Sequence, residues 1–174
     1  MAMSLQHDVL SAAAYLTFTL RTETFAVPVT QVREILDHAP LTRLPQMPAF
    51  VAGVLNLRGR VVPVVDLRLR FGMTCQAETR DSCIVVMEID LDGALMEFGA
   101  LVDGVQEVLA LSASQIEPPP RLGLGLKCDL LAGIGKEGER FIILLRPERL
   151  IAEGEVTQLA DLLAPVRAGA GLEA

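Results

Sequence analysis

The chain has 174 residues, a size for one domain or for two small subdomains with a common core. Of these, 51% are hydrophobic, which excludes intrinsic disorder. A formal net charge of −7 excludes nucleic acid as the principal partner, because neutralising phosphates takes a surplus of Lys and Arg. Only 4% is aromatic, so the core must be aliphatic, mostly Val, Leu and Ile.

Residues 1–13 read as a flexible leader. They lack the basic region and apolar block of a signal peptide. Tyr15–Leu20 and Thr24–Val29 are apolar runs separated by polar Arg21–Glu23, the pattern of a β-hairpin. Val29, Val32, Ile35 and Leu36 then fall at helical spacing behind Thr30, a residue suited to an N-cap. The spacing predicts a short helix over Thr30–Leu36, with a strand extension as the alternative. Val51–Leu55 and Val61–Val65 read as strands around a turn at Asn56–Gly59. Cys83–Ile89 and Leu95–Val102 flank Asp92–Gly93, a strong hairpin signal. Pro118–Pro120 and Leu122–Leu126 read as a loop, and Phe141–Leu145 as the last strand. Val156, Leu159, Leu162 and Leu163 mark an amphipathic C-terminal helix within residues 153–174, ending in a frayed tail. No apolar run reaches the ~20 residues of a membrane span.

The chain carries an internal duplication. Phe25–Leu36 (FAVPVTQVREIL) aligns without gaps with Phe98–Leu109 (FGALVDGVQEVL), an offset of 98 − 25 = 73. Ala52–Gly53–Val54 matches Ala132–Gly133–Ile134 at 133 − 53 = 80, which also sets Arg60 against Arg140 and Val61–Val65 against Phe141–Leu145. Two β subdomains follow, each too small for a core of its own, so they must pack together. The copies differ at one turn. Asn56–Leu57–Arg58–Gly59 in the first stands against Gly135–Lys136–Glu137–Gly138 in the second. Either Arg58 is an exposed turn residue, with Gly59 at the last position of a type I turn, or it is there to contact a partner.

Catalytic and metal-binding patterns are missing from the sequence. The two histidines, His7 and His38, have no matching Cys or carboxylate cluster, and no serine-hydrolase elbow or phosphate loop occurs. The three cysteines, Cys75, Cys83 and Cys128, form no C-x-x-C pair, which suits a reducing cytosol. Glu34 and Glu107 match across the copies and read as paired structural residues ahead of an acid–base pair. No cofactor or metal is expected. A β-rich, aliphatic chain of this kind reads as a protein-binding module.

The residues resemble a known family. Val51–Leu69 (VAGVLNLRGRVVPVVDLRL) is similar to the signature of CheW-like domains, a G-x-x-N-L-R-G turn followed by V-x-P-V-x-D-L. Val32–Ile35, Pro45–Phe50, Leu101–Leu109, Ile116–Pro120 and Leu131–Gly135 resemble further family segments in the same order. The resemblance implies a mainly β fold of two five-stranded, SH3-like barrels over residues 14–152, with short helices between strands. It implies a chemotaxis adaptor, not an enzyme. Its expected partners are the signalling tip of a chemoreceptor and the regulatory domain of a CheA-type histidine kinase. It is expected in the cytoplasm, recruited to receptor arrays, with no membrane insertion of its own. An alternative output is a non-flagellar chemosensory pathway. For the receptor the resemblance points to Val32, Glu34, Asn56, Leu57, Arg58, Gly59, Val105 and Val108, with Glu34 expected to pair with Arg58. For the kinase it points to Ile35, Leu36, Leu41 and Leu44, apolar residues that serve equally as core.

Overall fold

Successive side chains along a strand point to opposite faces, and here each face meets a different core. In a computed structural model, residues 12–37, 39–43, 45–73, 80–91, 93–118 and 130–151 are described. The readings at His7, His38, Leu44, Cys75, Asp92, Leu122–Leu126, Cys128 and the C-terminal helix lie outside them. The strands are β1 (Ala13–Leu20), β2 (Glu23–Pro28), β3 (Val32–Leu36), β4 (Val51–Leu57), β5 (Arg60–Asp66), β6 (Cys83–Leu91), β7 (Ala94–Val102), β8 (Gly104–Leu111), β9 (Ile116–Glu117), β10 (Leu131–Glu137) and β11 (Arg140–Leu145). One helical turn, α1 (Leu67–Arg70), follows β5. The hairpins β1–β2, β4–β5, β6–β7 and β10–β11 form where the turn residues call for them.

The expected helix over Thr30–Leu36 is not formed. A 3-10 turn at Val29–Gln31 leads into strand β3, which pairs antiparallel with β6. A bulge between Val32 and Glu34 shifts the pleat by one residue. The shift stretches the apolar spacing from two residues to three, which imitates a helix.

One sheet has the order β3-β6-β7-β5-β4 and the other β8-β1-β2-β11-β10-β9. The first is a continuous piece of chain, the inserted barrel. It interrupts the second, the terminal barrel, between β2 and β8. The duplication is visible in the register. Ala26 faces Leu144 and Gly99 faces Val64, both in parallel pairs, and these pairs are related by 99 − 26 = 73 and 144 − 64 = 80. Likewise Val32 faces Met87 while Val105 faces Phe18. Each barrel therefore takes one hairpin from the other repeat, β6–β7 in the inserted barrel and β1–β2 in the terminal one.

Burial follows the alternation. Val62, Val64, Ile84 and Val86 fill the inserted barrel, while Ala26, Ile142 and Leu144 fill the terminal one. Their neighbours Val65, Val85, Met87, Phe25, Val27 and Leu145 turn the other way into one large core common to both. Burying each such aliphatic side chain contributes roughly 1.5–3 kcal/mol. Close packing is duplicated too. A Cβ on Gly53 would lie 2.8 Å from the Thr42 carbonyl oxygen, and one on Gly133 would lie 2.7 Å from that of Glu117.

Candidate functional site

The β4–β5 turn is two residues long, since Leu57 pairs with Arg60. Arg58 and Gly59 have φ of 54° and 86°, the pattern of a type I′ hairpin and not of a type I turn. Asn56 stabilises it by accepting the Gly59 N–H on its side-chain oxygen at 2.9 Å. The left-handed region costs an L-residue with a Cβ roughly 1–2 kcal/mol. The Arg58 side chain is 73% exposed and donates from Nη2 to Glu34 Oε1 at 3.1 Å, so the expected pair is present. An exposed pair of this kind contributes about 0–1 kcal/mol. That does not offset the backbone cost, so the fold gains nothing from arginine at this point.

In the terminal barrel Glu137 pairs with Arg140, so the turn is Gly138–Glu139. The counterpart of Asn56–Gly59 is therefore Lys136–Glu139, one residue later than the Gly-to-Gly match suggests. Gly138, at φ 61°, occupies the place of Arg58. Glu107, the counterpart of Glu34, accepts instead from Arg140 Nη2 at 3.3 Å. Arg60, the counterpart of Arg140, donates to Glu97.

The structure brings Val32, Glu34, Asn56, Leu57, Arg58 and Gly59 together on the inserted barrel. Val105 and Val108 stand on β8 of the terminal barrel. Val32 and Val105 are equivalent, each half-buried against the common core. Val108 is 57% exposed and its counterpart Ile35 is 42% exposed, each next to the repeated glutamate. Leu57 is buried in the inserted barrel and shapes the turn without being presented. Of the kinase set, Leu36 and Leu41 are half-buried and pack against the core of the inserted barrel, leaving Ile35 as its exposed described member.

An open cleft of about 730 Å³ lies beside this barrel, with Pro40, Leu41, Met47, Pro48 and Leu69 in its walls and Asp66 and Arg68 at its base. Arg68 was not singled out in the sequence, although it is a charge between two leucines directly after a buried strand. Its side chain is 3% exposed. Nε and Nη2 donate to Asp66 at 3.1 Å each, and Nη1 donates to Asp103 Oδ1 at 3.1 Å. Asp66 also caps α1 by accepting the Arg68 N–H at 3.0 Å. The guanidinium is thus engaged by carboxylates on both sides, an arrangement for holding and not for reaction. Among the described residues no group of His, Cys, Asp and Glu has the makings of a metal site. A smaller hollow borders Cys83, whose thiol donates to the Asp81 carbonyl at 3.1 Å. Burial, and then the neighbouring Asp37, push this thiol above its ordinary value, so it is a neutral, poor nucleophile at pH 7.

Residues 14–155 match the CheW-like domain family. The chain is 37% identical over 142 residues to the chemotaxis protein CheW of Klebsiella aerogenes, covering 82% of this chain and 83% of that one. It is 34% identical over 108 residues to protein FrzA of Myxococcus xanthus, covering 62% and 64%. The fold is similar to the crystal structure of the scaffolding protein TtCheW from Thermoanaerobacter tengcongensis, with a TM-score of 0.74 and 29% identity over 83% of this chain and 95% of that one.

Proposed function

The chain belongs to the CheW-like family, whose members are scaffolding adaptors of chemotaxis without enzymatic activity, and from that premise we propose which partners it joins. It couples the signalling tip of a chemoreceptor to the regulatory domain of a CheA-type histidine kinase in the cytoplasm. No helix among the described residues is long and apolar enough to cross a membrane, so on this reading the adaptor reaches the array through its partners.

One observation carries the receptor contact. Arg58 is held at φ 54° where the duplicate turn has glycine. Its guanidinium, oriented by Glu34, stands at the hairpin tip with its remaining donors directed outward. Val32 and Ile35 supply half-buried and exposed apolar surface on the adjacent strand. Such a mixture suits the side of a helical coiled coil, with apolar residues flanked by carboxylates. The kinase's regulatory domain meets the inserted barrel along Ile35, Leu36 and Leu41, with Leu44 joining the set on sequence grounds.

The test is co-sedimentation of the protein with a receptor signalling fragment and the kinase, reading phosphorylation. Stimulation that needs the protein and is lost in a folded Arg58→Ala variant supports the reading. Sedimentation with neither partner overturns it. The likeness to FrzA, a relative not named for chemotaxis, favours one second reading. The same adaptor then serves a non-flagellar chemosensory pathway, and binding to the receptors and kinase of that pathway in preference to the flagellar set distinguishes it.

A further inference from the structure

The two barrels meet across a large, close-packed apolar core, and polar contacts at the junction add directed constraints to it. Among the described residues, several directional contacts at the junction converge on α1. Arg68, on α1 of the inserted barrel, donates to Asp103, the residue that carries the chain from β7 into β8 and so from one barrel to the other. Asp103 is tied on its far side to the terminal barrel. Its Oδ2 accepts the Arg21 N–H at 2.6 Å, and its own N–H donates to the Thr19 carbonyl at 3.0 Å. A second strut runs in parallel. Arg70 Nε donates to the Leu150 carbonyl at 2.9 Å, at the last turn of the terminal barrel. The Arg70 guanidinium also lies 5.1 Å from the centre of the Phe50 ring.

We propose that Arg68, gripping Asp66 within the inserted barrel and Asp103 at the crossover, is a positioning latch that sets the angle between the barrels. This rests on the proposed function for its consequence. The receptor set is divided, with Val32, Glu34 and Asn56–Gly59 on one barrel and Val105 and Val108 on the other. The described members of the kinase set, Ile35, Leu36 and Leu41, lie on the inserted barrel. A receptor that spans both barrels needs the latch, and a kinase domain that touches one does not. A planar guanidinium is suited to the task because it engages two carboxylates at once in fixed directions, as a lysine ammonium cannot. A hydrophobic replacement would fill the space but lack the directed contacts to Asp66 and Asp103.

The experiment uses the whole protein and two mild variants, Arg68→Lys and Asp103→Asn. Glu88→Gln is the control, because the Arg33–Glu88 pair lies within one barrel. Residual dipolar couplings are measured for amides of β3–β7 and, separately, of β1, β2, β8, β10 and β11. In the unmodified protein and in Glu88→Gln both sets fit one alignment frame. In the two latch variants the relative orientation of the frames changes. Affinity for a receptor signalling fragment falls about tenfold, the scale of one lost charge-assisted contact, while affinity for the kinase regulatory domain stays unchanged. A single unchanged frame in both variants overturns the latch, and so does an equal loss of both partners. Failure of the unmodified protein to bind the receptor fragment counts against the proposed function alone, because the couplings judge the latch without any partner.

Discussion

At one hairpin tip residue 58 is arginine at φ 54°, and at the equivalent tip of the other barrel residue 138 is glycine at φ 61°. The two barrels have the same strand pairing, the same crossing carbonyl over a glycine, and the same glutamate facing an arginine. Where the duplicates agree, the backbone explains the residue. Where they differ, the turns differ as well: Arg58 and Gly59 both lie at positive φ, whereas of Gly138 and Glu139 only Gly138 does, the pattern of a type II′ turn. Glycine adopts the first position of either turn without strain, so arginine at φ 54° carries a backbone cost, which on the proposed reading its side chain offsets at the receptor.

The comparison can be broken or sharpened by treating the barrels as each other's controls. The largest effect is expected from Val62→Asp and its counterpart Ile142→Asp. Each places an unpaired charge in a fully enclosed barrel interior and should cost more than about 4 kcal/mol. Because the barrels share one core, either change should unfold the whole chain in one transition by far-UV circular dichroism. Two separate melts would show the barrels to be independent. Next come Gly53→Ala and Gly133→Ala, where the added Cβ meets a carbonyl oxygen. Each should lower stability in urea by about 1–3 kcal/mol, and a large difference between them would mean the repeats relax unequally. At the tips, Gly138→Ala should cost about 1 kcal/mol. Arg58→Gly should leave the melting temperature within a few degrees while abolishing most receptor binding. A collapse in stability on Arg58→Gly would make that residue structural.

The smallest effect concerns Cys83. Its thiolate is disfavoured in the fold, so the native state holds the proton more tightly than the unfolded chain does. Stability from this source is complete below the ordinary thiol value of 9.0 and declines as pH rises through the raised one. Cys83→Ala should flatten that alkaline decline in denaturant titrations between neutral and alkaline pH.

The hairpins were legible because their signals are local: alternation on either side of Arg21–Glu23, Asn56–Gly59 and Asp92–Gly93. The duplication was legible as well, and its two offsets reappear in the strand register. β3 was misread as a helix because the bulge at Val32–Glu34 moves the pleat out of phase. The exchange of β3 onto β6 and of β8 onto β1 was hidden, since pairing between distant strands leaves no mark on either one. Arg68 was hidden for a related reason. A buried guanidinium is recognised by its partners, and Asp103 stands 35 residues away. The Glu34–Arg58 pair, also distant, was anticipated only because a family motif drew attention to Arg58.

The interruption of one barrel by the other has a consequence for biosynthesis. The inserted barrel is one uninterrupted run from Val32 to Val102 and can close as soon as that run leaves the ribosome. The first hairpin, made earliest, has no completed sheet to join until β8 and then β11 are synthesised. Its other face, with Tyr15 and Ala26, packs against Leu111, Ile142 and Leu144 and must wait through that interval. A hairpin made before the strands it pairs with is thus satisfied last on that face, and it is where a chaperone would be needed most.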